Sequence, residues 1–251
     1  MGLINIKRYP ITIEGQTTWI GTAGELSVAL DVLQGQFDRQ ALEQLQPHLA
    51  EIIANAAGCC AVLKSLSVED QVFFIQALGR DLAAVLQDAR HLRDLLAITA
   101  QVEVEEALIQ TLGTSGLKCL ILTAENLAEV LEWVYGECDA LTLELTGIDA
   151  LRQLCRNASD LSAILRSLDH TQQAGLLEQL GWAFVPGLVH DGRDLAYLLR
   201  ALPPESSERL LKHFSPSQLR EIIGNAQDWA YLYQRLEPEE AKILVGLLQE
   251  E

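Results

Sequence analysis

Residues 147–180 read GIDALRQLCRNASDLSAILRSLDHTQQAGLLEQL, and residues 181–214 read GWAFVPGLVHDGRDLAYLLRALPPESSERLLKHF. Laid one over the other, Gly147 meets Gly181, Leu151 meets Val185, Leu161 meets Leu195, and Ile164 meets Leu198. The 34-residue step runs outward from this pair. Gly79 and Gly113 precede the two glycines and Ser215 follows them. Ile75, Ile109, Leu143, Leu177, Leu211 and Val245 keep the same step, and Leu127 and Trp229 flank the Leu161 and Leu195 column. The earliest copy is shifted, with Leu45 aligned to Leu78, and one extra residue near Gly116 separates Leu92 from Leu127. Six units run from about Phe37 to Leu236, and a half unit closes the chain. Self-similarity at such a period is the mark of repeat architectures.

Each unit is expected to hold three short helices. Pro204 and Pro238 suit the first position of the first helix, where the missing N–H has no partner in any case. The glycine column ends that helix, because glycine adopts the left-handed conformation of a helix terminus without a steric cost. Pro47 and Pro216 open the second helix, which ends at Asn55, Asp88, Thr123, Asn157, Asp191 or Asn225. Asn126, Asp160, Asp194 and Asp228 are expected to cap the third helix, whose apolar residues recur at i, i+3, i+4 and i+7. One such unit cannot bury its apolar stripe alone, so stacking must complete the core. The expected fold is all-α: a right-handed α-solenoid of about six 34-residue three-helix repeats over residues 37–251.

The period equals that of tetratricopeptide repeats, but their Trp and Ala/Phe signature is missing. Residues 1–36 differ from the rest. Ile4–Ile13 and Thr17–Ile20 alternate about a Glu14-Gly15 turn, and Thr22 to Glu25 forms a capping box. They read as an N-terminal hairpin and helix cap, with a hairpin edge on offer to a partner strand as a lesser possibility.

Composition narrows the function. The 251 residues carry 35 Asp and Glu against 18 Lys and Arg, a net charge of −17. That argues against direct nucleic-acid binding through phosphates. The five cysteines, Cys59, Cys60, Cys119, Cys138 and Cys155, form no disulfide framework or zinc-ligand spacing. No signal peptide or membrane span is evident, so a cytoplasmic protein, or one exported without such a signal, is expected. Walker, dinucleotide-binding, HExxH and GxSxG motifs are absent, so the reading is non-enzymatic, with no catalytic, metal or cofactor residue named. The cluster His190-Asp191-Gly192-Arg193-Asp194 is dense in titratable groups, but its two aspartates fall on helix-end columns.

Two features stand outside the repeat. Residues 101–144 hold nine carboxylates and one lysine, Lys118. Tyr197 and Tyr231 share one slot with Glu129, and Trp133 occupies another, both off the buried columns. Glu129, Glu132, Trp133, Tyr197 and Tyr231 are therefore the candidate partner-binding residues. The expected function is a scaffold or adaptor that binds a protein or peptide partner, the acidic middle favouring a basic one. The alternatives are an acidic decoy that imitates nucleic-acid charge, in bacterial conflict or as a secreted effector, and an enzyme of unrecognised type.

Overall fold

The computed structural model describes residues 7–33 and 35–249. The chain is mostly helical, with one small two-stranded sheet. It divides into two compact units. The first holds residues 1–121 and 133–145, and the second holds 122–132 and 146–251.

A hairpin opens the first unit. Strands β1 (Tyr9–Ile13) and β2 (Gln16–Ile20) are antiparallel, with Ile11 opposite Thr18 and Thr12 opposite Thr17. Glu14 and Gly15 both have positive φ, as a two-residue hairpin turn requires. The alternation expected at Ile4–Ile6 lies outside the described residues.

One class of helix recurs through both units. Its members are Ala23–Leu33, Ala56–Lys64, Ala89–Thr99, Ala124–Leu131, Ala158–Arg166, Gly192–Ala201 and Ala226–Tyr233. Each begins with Ala or Gly and follows a Thr, Asn or Asp. Asn55, Asp88, Thr123 and Asn157 accept the backbone N–H three residues on, at 2.9–3.2 Å. Asp191 and Asn225 each accept two such amides. These residues are therefore the N-caps, three positions earlier than the sequence suggests. Asn126, Asp160 and Asp194 fold back instead, accepting the N–H of Leu122, Arg156 and His190. Both sets are good acceptors at a helix start, and the sequence alone did not separate them.

Within the first unit, helix Ala23–Leu33 packs on Ala56–Lys64, which packs on Ala89–Thr99. Within the second, Ala124–Leu131, Ala158–Arg166, Gly192–Ala201 and Ala226–Tyr233 pack in succession. Ala23–Leu33, expected to be a cap of separate design, thus stacks as the later helices do. Leu92, Leu127, Leu161 and Leu195 are fully buried, while Trp229, in the last copy, is half-buried. Close approach is built into the helix starts. A Cβ on Gly192 would lie 2.8 Å from the Cβ of Asp228.

Gly79, Gly113, Gly147 and Gly181 all have positive φ, from 51° to 81°. They break one helix from the next, and Gly113 does so within the run Val102–Leu120. The second helices are short: Leu49–Ile52, Leu82–Leu86, Ile148–Leu154 and Pro216–Ile222. Trp182–Leu188, around Pro186, winds as a 3-10 helix, since proline at that point offers no N–H to an α-helical ladder.

Two substitutions test this frame in a denaturant melt. Gly147→Ala is expected to destabilise by about 1 kcal/mol or more, because a Cβ is strained at φ 79°. Leu161→Ala is expected to cost about 2–5 kcal/mol, the usual range for truncating a buried leucine.

Candidate functional site

The five residues singled out from the sequence do not form one cluster. Glu129 and Glu132 belong to the second unit, as do Tyr197 and Tyr231, whereas Trp133 belongs to the first. Glu129 lies on helix Ala124–Leu131, and Glu132 is the residue that closes that helix. Helix Ala158–Arg166 lies between it and the helix bearing Tyr197. Two helix widths, about 20 Å, thus separate Glu129 from Tyr197.

Tyr197 is 37% exposed and free-standing enough to be touched by a partner. Its backbone carbonyl accepts the Ser162 hydroxyl of the preceding helix at 3.1 Å. Tyr231 is half-buried beneath cations. The Arg235 guanidinium lies 3.6 Å from its ring centroid and that of Arg193 lies 5.7 Å away. The second unit therefore presents a Tyr and Arg surface, with Glu132 exposed at the other end of the helix row. Trp133 is 41% exposed in the first unit, close in sequence to the exposed Tyr135.

The acidic stretch is not all surface. Glu105 is fully buried and Asp139 nearly so. Their place in the sequence period explains what they meet. Gln71, Glu105, Asp139, Gln173 and Ser207 follow one another at 34 residues. The Gln71 amide donates to the Leu63 and Leu66 carbonyls, and the Gln173 amide donates to those of Leu165 and Leu168. The Ser207 hydroxyl donates to Leu199 O. The slot thus supplies a donor to the carbonyl-rich end of the preceding capped helix. Glu105 brings a carboxylate instead. Its Oε2 accepts the Tyr135 N–H at 3.0 Å, and its buried Oε1 has no hydrogen-bond partner. Burial pushes its pKa above the usual 4.5, the Asp139 carboxylate adds to this, and the Tyr135 amide partly offsets it. Asp38, which falls on the same slot in the shifted first copy, is likewise fully buried. Burial raises it first, then the nearby Asp70, while the Gly35 amide opposes.

The other titratable groups have structural partners. Asp191 and Asp194 both accept backbone amides at the start of their helix. Cys59 and Cys155 are buried, and burial pushes each thiol up to about 12. Burial also takes Cys138 up to about 11, with Glu105 the next contributor. Thiols held that high carry almost no thiolate at neutral pH. Among the described residues no group of three His, Cys, Asp or Glu side chains is placed to hold a metal ion, and no helix is long and apolar enough to cross a membrane.

Between the hairpin and helix Ala23–Leu33 lies a groove of about 890 Å³, lined by Ile11, Thr18, Trp19, Val28, Val32 and Phe37 among others. Val28 and Val32 are 64% and 76% exposed. Both lie on the slots of the predicted binding residues: Val28 is as far from its N-cap as Tyr197 and Tyr231, and Val32 as far as Trp133. The register carries this signal, because helix Ala23–Leu33 starts after Thr22 as the later helices start after their caps.

No family model, curated protein or solved structure matches this chain.

Two outcomes follow. Glu105→Gln is expected to raise the denaturation midpoint at pH 7, since it removes a buried charge and supplies the donor found in the Gln71 and Gln173 copies. A folded-state pKa raised above the unfolded value means ionisation at neutral pH costs stability, and acidification restores it. The gap between wild type and Glu105→Gln should therefore narrow as pH falls towards 4.5. In the native protein, a thiol reagent is expected to label the exposed Cys119 and to spare Cys59, Cys138 and Cys155 until denaturant is added.

Proposed function

We propose that the 34-residue units form a right-handed α-solenoid and that this protein works as a non-enzymatic interaction scaffold for a protein or peptide partner. The observation that carries the reading is the exposure of apolar side chains at equivalent positions of stacked helices. Val28 and Tyr197 are exposed in a slot where Ala61, Glu129, Ala163 and Tyr231 are half-buried and Asp94 is exposed. Rigid aromatic rings so placed serve as anchors at little entropic cost, and Tyr and Trp are enriched where interfaces concentrate their energy. The titratable clusters, in contrast, are taken up by helix capping and burial. The net charge of −17 favours a basic partner and sets the encounter rate. Glu132, Glu125 and Glu137 are exposed and available for this, whereas Glu105 and Asp139 face inward. The reading places the protein in no particular compartment.

The test is kinetic. With the partner recovered by affinity purification from the native cell and then purified, association is expected to slow markedly as salt rises, since exposed charges are screened over about 8 Å at physiological ionic strength. Glu129→Lys with Glu132→Lys should lower the on-rate. Tyr197→Ala with Tyr231→Ala should raise the off-rate. Salt-independent binding that neither pair alters would remove the second-unit surface from the interface.

A further inference from the structure

The hairpin is unequal at its two edges. On β1, the outward-facing N–H and C=O of Thr12 are both taken by the Gln44 side chain, at 2.8 and 3.1 Å. Tyr9 stacks on His48 at 3.9 Å and donates its hydroxyl to Glu51 at 2.6 Å. Pro10 sits on that same outward edge, where its missing N–H leaves no gap in the ladder. The two-residue turn makes Ile13 with Gln16 and Ile11 with Thr18 the pairs that exchange backbone bonds. The N–H and C=O groups of Thr17 and Trp19 then point away from β1. Among the described residues nothing meets them.

The open edge borders the groove. Ile11, Ile13 and Ile20 are buried on the hairpin's inner face, and β1 packs on helix Asp38–Leu45. Val28 and Val32 remain exposed beside Thr18 and Trp19 in the same groove. In the later helices the residues of the Val28 slot are half-buried, apart from the exposed Asp94 and Tyr197.

We propose that this groove takes an extended basic peptide as a third strand, paired to the free edge of β2. Its backbone would meet the groups of Thr17 and Trp19. Side chains at alternate positions would cover Val28 and Val32, and the intervening ones would lie beside Trp19. β2 spans five residues, so the paired segment is about five residues long, near 17 Å. Charge selects the occupant. No Lys, Arg or His lines the groove, while Glu14 lines its turn end and Asp31 stands exposed beside Val32. Glu25 is already held by Arg8 at 2.5 Å. A second copy of this chain would bring another −17 of net charge to the same edge. The proposal rests on the interaction reading above but uses a different surface.

The experiment uses the full chain and a synthetic heptapeptide, Lys-Val-Thr-Val-Thr-Val-Lys. Binding is followed by anisotropy of a labelled peptide and by amide hydrogen exchange. Bound peptide is expected to slow exchange of the Thr17 and Trp19 N–H at least tenfold. Replacing both terminal lysines by Glu should weaken binding at least tenfold. So should Val28→Asn with Val32→Asn, which removes apolar cover at two exposed positions without changing charge; circular dichroism checks that the fold is retained. Backbone N-methylation at alternate peptide residues should abolish binding in one register and be tolerated in the other. The proposal is overturned if the peptide fails to bind at millimolar concentration, or if both methylated registers bind equally. It is also overturned if Thr17 and Trp19 are protected without peptide in a concentration-dependent way, since the occupant is then a second copy. If the native partner still binds and responds to Tyr197→Ala with Tyr231→Ala while the groove variants have no effect, the groove alone falls. If the peptide docks as described but the native partner ignores the tyrosines and salt, the scaffold surface falls and the groove stands.

Discussion

Helices of eight to eleven residues have little stability of their own in water, so each must be started by a cap and completed by a neighbour. That constraint governs the whole chain. A Thr, Asn or Asp closes the first free amides, and the Ala or Gly that follows lets the next helix come close. Gly192 shows how little room there is, since even a methyl group there would meet the Asp228 backbone. The buried leucines of each helix then complete the apolar surface of the next. Capping and stacking are one device: the cap sets where the helix begins, and the beginning sets which residues face the neighbour.

The same logic explains the buried polar slot. The last carbonyls of a capped helix have no partners within it, and they are sealed from water when the next helix packs over them. Gln71, Gln173 and Ser207 answer with donors. Glu105 answers with an acceptor. Its carboxylate is useful at one oxygen, where it holds the Tyr135 amide, and poorly placed at the other. Burial of this carboxylate away from water is the physical reason its pKa is raised, and the Asp139 carboxylate adds to it. The acidity of this stretch therefore has two meanings. Some of its carboxylates are surface charge, and others belong to the architecture.

A stack of helices also has a first member, and that member lacks a neighbour on one side. Here the hairpin packs on helix Asp38–Leu45 and leaves Val28 and Val32 of helix Ala23–Leu33 bare. Its outer strand is bonded on one side only. The proposed peptide site draws on both shortfalls: apolar area without cover, and backbone groups without partners. The Tyr197 and Tyr231 surface is of another kind, since the Tyr231 ring already packs against the Arg193 and Arg235 guanidinium groups. A partner there would add contacts to a finished surface.

The helical character and the glycine breaks were legible in the sequence, because they depend on local chemistry repeated many times. Leucine columns in register imply a buried face, and a glycine at the end of each run implies a left-handed turn. The hairpin was legible for the same reason. The cap positions were misplaced by three residues, because two acceptors at that spacing look alike until the backbone shows which one turns outside the helix. That Ala23–Leu33 belongs with the later capped helices was also hidden, since a hairpin and not a helix stands directly before it. Burial of Glu105 and Asp139 could not be read from charge counts, which do not distinguish a carboxylate facing water from one sealed under a neighbouring helix. The free edge of β2 was decided only in three dimensions. Both strands alternate alike in sequence, and it is the approach of Gln44, His48 and Glu51 from a distant segment that closes one edge and leaves the other unpaired.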